Sequence, residues 1–262
     1  MIGILDWGIG GLGVYAILGE RAPGIPVVYL SDAGAIPYGK LPAARLAARV
    51  SAMAARLRAE GATHLVVACN AASTVLPALG VAGVAGTIET PWGALAVTGV
   101  IEHGIALARG AGARTLGVIG GRRTIRSGIY RRRLAQSGRR VRQRVAQPLS
   151  ARIEAGELAG PALDADLARI LAPLRDVDAL LLACTHYPAI APRIAHFVPD
   201  VRLLDPAAAV VDWVLAHWRP RRARGIADRF LTTGSPAAMR RAAAAAFGVS
   251  IPNAAPVVIA EP

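Results

Sequence analysis

The chain has 262 residues, 54% of them hydrophobic, which excludes a disordered chain and allows one large domain or two smaller ones with real cores. No uncharged apolar run reaches the roughly 18 to 20 residues that a membrane span needs. The opening MIGILDWG has neither a basic n-region nor a small-residue cleavage site, so a cytoplasmic protein with no membrane partner is expected.

Along the chain, apolar β-branched runs alternate with alanine-rich amphipathic stretches. Strands are expected at IGIL (2–5), VVYL (27–30), HLVVAC (64–69), GVAG (83–86), TLGVIG (115–120), ALLLAC (179–184), VRLL (201–204) and RFLTT (229–233). Helical periodicity is clearest over 42–59, 91–109, 162–175 and 236–247. Apolar strands separated by helices predict an α/β fold whose mainly parallel sheets are covered on both faces. Weak punctuation at Pro91 and Pro206 offers the best domain boundaries.

The first strand leads into GILDWGIGGLG, in which Gly8, Gly10 and Gly13 spell G-x-G-x-x-G, and Asp32 follows at about the 20-residue spacing of a dinucleotide-binding fingerprint. Asp6, however, stands where that pyrophosphate would lie. Basic residues number 30 against 17 acidic ones. The stretch 121–144 holds ten arginines and no acid. It reads as a solvated helix face followed by an exposed strand, and nucleic acid is not an expected partner because no recognised binding module accompanies it.

Two cysteines, Cys69 and Cys184, make no disulfide framework, and the histidines around them have no metal-ligand spacing, so no metal is expected. Each ends a buried strand and is followed at once by small polar residues, in ACNAAS and ACTHYP. In open α/β sheets that is where ligands bind. The contexts LVVACNAAS and LLLACTHYP resemble each other, one in each half, which suggests a pseudo-twofold arrangement with a substrate between two thiols. Thiols on opposite sides of one carbon suit a two-base proton exchange, provided neighbouring groups manage each proton.

At these residues the sequence resembles the cofactor-independent glutamate racemases of the aspartate/glutamate racemase superfamily. ILDWGIGGLGV is similar to F-D-S-G-x-G-G-L, SDAGAIPYGK to D-x-A-x-x-P-Y-G, and VVACNAAST to A-C-N-T-A-S. GVIGGRRTIRSGIY is similar to I-G-T-x-x-T-x-x-S-x-x-Y, LLLACTHYP carries C-T-H-Y-P unaltered, and FLTTGSPAAMRRAAAAAFG resembles T-S-G-D-x-x-x-F.

The resemblance implies two pseudo-symmetric α/β domains around a cleft, residues 1–91 with 207–262 and residues 92–206. It implies racemisation of glutamate without cofactor or metal, supplying D-glutamate for peptidoglycan. Cys69 and Cys184 would be the acid/base thiols, the first serving D-glutamate and the second L-glutamate. Asp6 would assist Cys69, and His186 would assist Cys184. Glu154 lies near another acid that the family keeps by the second thiol. Asp6, Tyr38, Gly39, Asn70, Thr185 and His186 would bind the small amino-acid substrate. Trp7 and Ala71 occupy binding positions where the motifs carry serine and threonine, whose hydroxyls would hydrogen-bond the substrate. Trp7 therefore leaves open a pocket for a different amino acid, and the arginine-rich surface leaves open a catalytically weakened binding factor. A homodimer is compatible with all of these readings.

Overall fold

The computed structural model describes residues 1–223 and 225–259, so Arg224 and residues 260–262 of the expected segment 207–262 lie outside the described residues. The strands are β1 Ile2–Asp6, β2 Val27–Ser31, β3 His64–Val67, β4 Ala85–Ile88, β5 Leu95–Gly99, β6 Thr115–Gly120, β7 Arg140–Val145, β8 Ala179–Ala183, β9 Arg202–Leu204, β10 Arg229–Thr232 and β11 Ala254–Pro256. The helices are α1 Leu12–Arg21, α2 Ala43–Ala59, α3 Asn70–Ser73, α4 Val100–Gly110, α5 Arg122–Ser127, α6 Ile129–Ala135, α7 Gln147–Glu154, α8 Pro161–Leu171, α9 Ala191–Phe197, α10 Ala207–His217 and α11 Pro236–Phe247. No helix among the described residues is long and apolar enough to cross a membrane.

Seven strands form one sheet in the order β11-β10-β2-β1-β3-β5-β4, and four form another in the order β7-β6-β8-β9. Every pairing is parallel except β4 with β5. This is the expected α/β class, and it follows from composition. All five residues of β1, β2 and β8 are buried, so these strands need apolar cover on both faces. Helix α2 supplies such cover through Leu46, Val50, Met53, Ala54 and Leu57, which recur at helical spacing and join the core with Leu5, Val28, Leu30, Leu65 and Val67.

Several elements differ from expectation. The stretch read as one helix over 91–109 is β5 followed by α4. LAVTG is short and largely buried, and it pairs with β3 in the seven-stranded sheet. Residues 95–99, assigned in the sequence reading to the segment 92–206, are thus a strand of the first sheet. The strand expected at 83–86 is shifted to 85–88, and β11 has no counterpart among the sequence expectations. Helix α8 ends at Leu171 and continues as a 3₁₀ turn, Ala172–Leu174, around Pro173.

The arginine-rich stretch divides between roles. Arg133 pairs with both carboxylate oxygens of Glu102, at 2.8 and 2.9 Å, and Arg142 pairs with Asp176. Arg140, Arg142 and Arg144 are exposed on β7, at the rim of the four-stranded sheet. Like charges on an open edge discourage pairing with another chain.

Replacing Leu57 with alanine removes a fully buried side chain from the layer over the first sheet. Urea denaturation is expected to show a loss of about 2–5 kcal/mol. A loss below about 1 kcal/mol would contradict the packing assigned to α2.

Candidate active site

Strand β1 delivers Asp6, fully buried, to the start of the glycine loop. Its Oδ1 accepts the Trp7 amide at 2.8 Å, and its Oδ2 accepts the Gly11 amide at 2.7 Å and the Thr185 hydroxyl at 3.1 Å. The Ile9 amide donates to Glu154 Oε1 at 2.8 Å. Amides of such a loop would cradle a pyrophosphate in a dinucleotide site, but these three already face carboxylates. Asp32, at the ribose spacing, is engaged as well. It accepts from Arg49 at 2.7 and 3.0 Å, from the Tyr38 hydroxyl at 2.8 Å and from the Thr233 hydroxyl at 2.9 Å.

The glycines serve close approach instead. A Cβ on Gly8 would overlap the Glu154 carboxylate. On Gly10 it would lie 2.5 Å from Thr185 Oγ1 and 2.7 Å from both Asp6 Oδ2 and His186 Nδ1. Only glycine leaves room there.

Cys69 follows β3 and begins α3. Burial pushes its thiol well above the ordinary value, and the neighbouring Asp6 charge adds to the shift. Cys184 follows β8 in the other sheet, and its Sγ lies 3.7 Å from His186 Nδ1. His186 Nε2 faces Glu154 Oε1 at 2.5 Å. Burial opposes charge on that imidazole, but hydrogen bonds to Cys184 and Glu154 outweigh it and raise His186 well above its ordinary value. Burial likewise opposes charge on Glu154, yet the bonds from His186 and the Ile9 amide hold its carboxyl low. Each thiol thus has a different ionisable neighbour: the Asp6 carboxylate at Cys69 and the His186 imidazole at Cys184.

Both thiols line one cavity of about 110 Å³, together with Trp7, Tyr38, Gly39, Asn70, Ala71, Thr185 and His186. Asp6 and Glu154 stand behind the wall and act on residues that form it. Trp7 packs against the first sheet's core, its indole N–H donating to the Ala35 carbonyl at 3.2 Å. Tyr38 presents its ring, because its hydroxyl is bound to Asp32. Asn70 accepts the Tyr130 hydroxyl on Oδ1 at 2.7 Å, which leaves its buried Nδ2 without a partner. The sequence reading did not single out Gly121, Arg123, Thr124, Gln147 or Ser150 as lining residues. Gly121 stands where the I-G-T motif has its threonine. Among the described residues, no group of three or more His, Cys, Asp or Glu side chains could hold a metal ion.

Two mostly parallel sheets contributing one thiol each to a shared cavity make this an α/β racemase. A solved structure, the glutamate racemase from Thermus thermophilus in complex with β-chloro-D-alanine, matches with a TM-score of 0.82 and 30% identity, covering 98% of this chain and 96% of that one. The family described as Asp/Glu/Hydantoin racemase matches residues 13–214, and the chain belongs to that family of isomerases. It is 34% identical to the glutamate racemase of Pseudomonas entomophila over 217 residues, which are 80% of this chain and 78% of that protein. With the glutamate racemase of Gloeobacter violaceus the identity is 33% over 251 residues, 93% of this chain and 91% of that protein.

A raised His186 contributes stability that is full below the unfolded value of about 6.5 and lost as pH rises through the folded value. Cys184 and Glu154 both raise it, and Glu154→Gln removes the charge of the second. The imidazole titration followed by NMR should therefore move down, and the stability deficit in urea should be larger at about pH 6 than on the alkaline side. An equal deficit at both pH values would contradict the ion pair.

Proposed function

We propose that this protein interconverts L- and D-glutamate by proton transfer between Cys69 and Cys184. The observation that carries the reading is the pair of thiols, one from each sheet, on one cavity with unlike ionisable neighbours. In the L-to-D direction, the Cys184 sulfur takes the α-proton, with the His186 imidazolium beside it. The carbanion then takes a proton from the Cys69 thiol on its opposite face, which leaves Cys69 as thiolate and Cys184 as thiol. The reverse reaction begins from that state. Burial keeps Cys69 protonated at rest, which favours a start from the L-enantiomer. Asn70 Nδ2, buried and without a partner, is a donor for the substrate's α-carboxylate, while the Thr185 hydroxyl is committed to Asp6.

No cofactor enters this scheme. The relatives are glutamate racemases by name, and D-glutamate formed in the cytoplasm would serve peptidoglycan synthesis. One observation favours a second reading: the Trp7 ring forms part of the wall, where a larger side chain reduces room for the substrate. On that reading the same proton transfer acts on another amino acid. Loss of the α-proton signal in heavy water distinguishes the two, since exchange confined to an amino acid other than glutamate supports the second.

Cys69→Ala and Cys184→Ala should each lower racemisation by at least about 10³-fold, because inversion needs an acceptor on one face and a donor on the other. Elimination of chloride from β-chloroalanine needs only one base. Cys69→Ser should spare the L-substrate and Cys184→Ser the D-substrate. Equal elimination from both enantiomers by both variants would leave the thiols as structural residues.

If Trp7 and Ala71 weaken glutamate binding, Trp7→Ser combined with Ala71→Thr should lower KM for glutamate, by roughly tenfold for one or two restored hydrogen bonds. An unchanged or higher KM in the folded double variant would show that these positions do not restrict glutamate.

A further inference from the structure

We infer that Arg123 is the specificity-determining residue of this site, receiving the side-chain carboxylate of a dicarboxylic amino acid. The inference rests on the glutamate reading above and says how that substrate is selected. A dicarboxylate brings two negative charges into the cavity. Two of the side chains lining it carry positive charge, His186 and Arg123, and the imidazolium of His186 is already bound to Glu154 and Cys184. Arg123 is the remaining cation.

Its position fits the far end of the substrate. The α-carbon must lie between the two thiols, with the α-carboxylate near Asn70 and Thr185, the residues that follow them. Arg123 comes instead from α5, after β6, and also borders an outer hollow with Gly39, Leu41, Arg122 and Arg126. It thus stands at the rim of the cavity, where a side chain reaching away from the thiols would end.

The guanidinium is already oriented. Nε donates to the Tyr38 carbonyl at 3.3 Å and Nη2 to the Leu41 carbonyl at 2.6 Å. Among the described residues no carboxylate pairs with it, and Nη1 has no partner. Burial lowers its proton affinity below the ordinary value, a cost of unpaired charge that an arriving carboxylate offsets. A fork held by two backbone carbonyls loses little freedom on binding.

The surroundings explain why a charge is needed here. At position 121, beside Arg123 in the sequence, the resembling motif carries threonine, whereas this chain has Gly121, which offers no hydroxyl. A charge-assisted donor is stronger than a neutral one, so the arginine can stand in for that lost hydroxyl.

The test compares a substrate with a side-chain carboxylate to one without. Racemisation of glutamate and elimination from β-chloro-D-alanine are measured for the wild type, Arg123→Met and Arg123→Lys. For Arg123→Met, kcat/KM for glutamate should fall about 10- to 100-fold, chiefly through KM, while elimination changes less than about threefold. Arg123→Lys keeps the charge and should recover most of the preference. Equal losses on both substrates would overturn the inference, because Arg123 would then act only by bracing Tyr38 and Leu41. No loss on either would overturn it too. A wild-type protein that eliminates from β-chloro-D-alanine but leaves glutamate untouched would overturn the glutamate reading itself, and with it this one.

Discussion

A single carboxylate oxygen, Oε1 of Glu154, accepts both the Ile9 amide from the first sheet's loop and His186 Nε2 from the second sheet's. The rest of the site depends on that junction. It fixes the height of the glycine loop, and it requires Gly8, because any Cβ there would displace it. It also holds the charge on His186 and so sets the electrostatics around Cys184. Asp6 makes the complementary link, accepting from its own loop and from Thr185 across the cleft. Each carboxylate is therefore satisfied in part by a group from the other side of the cleft, Thr185 for Asp6 and the Ile9 amide for Glu154, as charge removed from water must be.

The two halves of the site are alike in backbone and unlike in charge. In both, a thiol follows the end of a fully or largely buried parallel strand, β3 or β8. Behind one thiol is an anion, behind the other a cation. Two side chains of identical chemistry thus sit in oppositely charged surroundings, and burial beside the carboxylate raises the Cys69 thiol.

Much of this was legible in the sequence. Strands β1, β3, β6 and β8 are unbroken apolar runs, and polar residues follow each without delay, so both the fold class and the ends bearing Asp6, Cys69 and Cys184 could be read. Glu154 was harder, because nothing in SARIEAGE marks it as more than a glutamate at the end of a helix; its meaning comes from a loop over a hundred positions away. Arg123 was concealed by the arginines around it. Composition does not reveal which of ten like residues turns inward, and the contacts that turn it come from Tyr38 and Leu41. β5 was missed because LAVTG follows a turn and runs directly into α4, so strand and helix merge into one apolar stretch.

The pairing of β10 with β2 brings Arg229–Thr232 alongside Val28–Ser31, segments far apart in the sequence. During synthesis, Asp32 leaves the ribosome 201 residues before Thr233, its partner at the end of the strand that covers β2. The four-stranded sheet lies wholly between them in sequence and can close on local contacts alone. The chain therefore completes its inner segment first, and the long-range closure of the first sheet is the slow, late step of folding. Until that step β2 presents an open apolar edge, so the newborn chain is most prone to aggregation in the interval when one sheet is finished and the other is not.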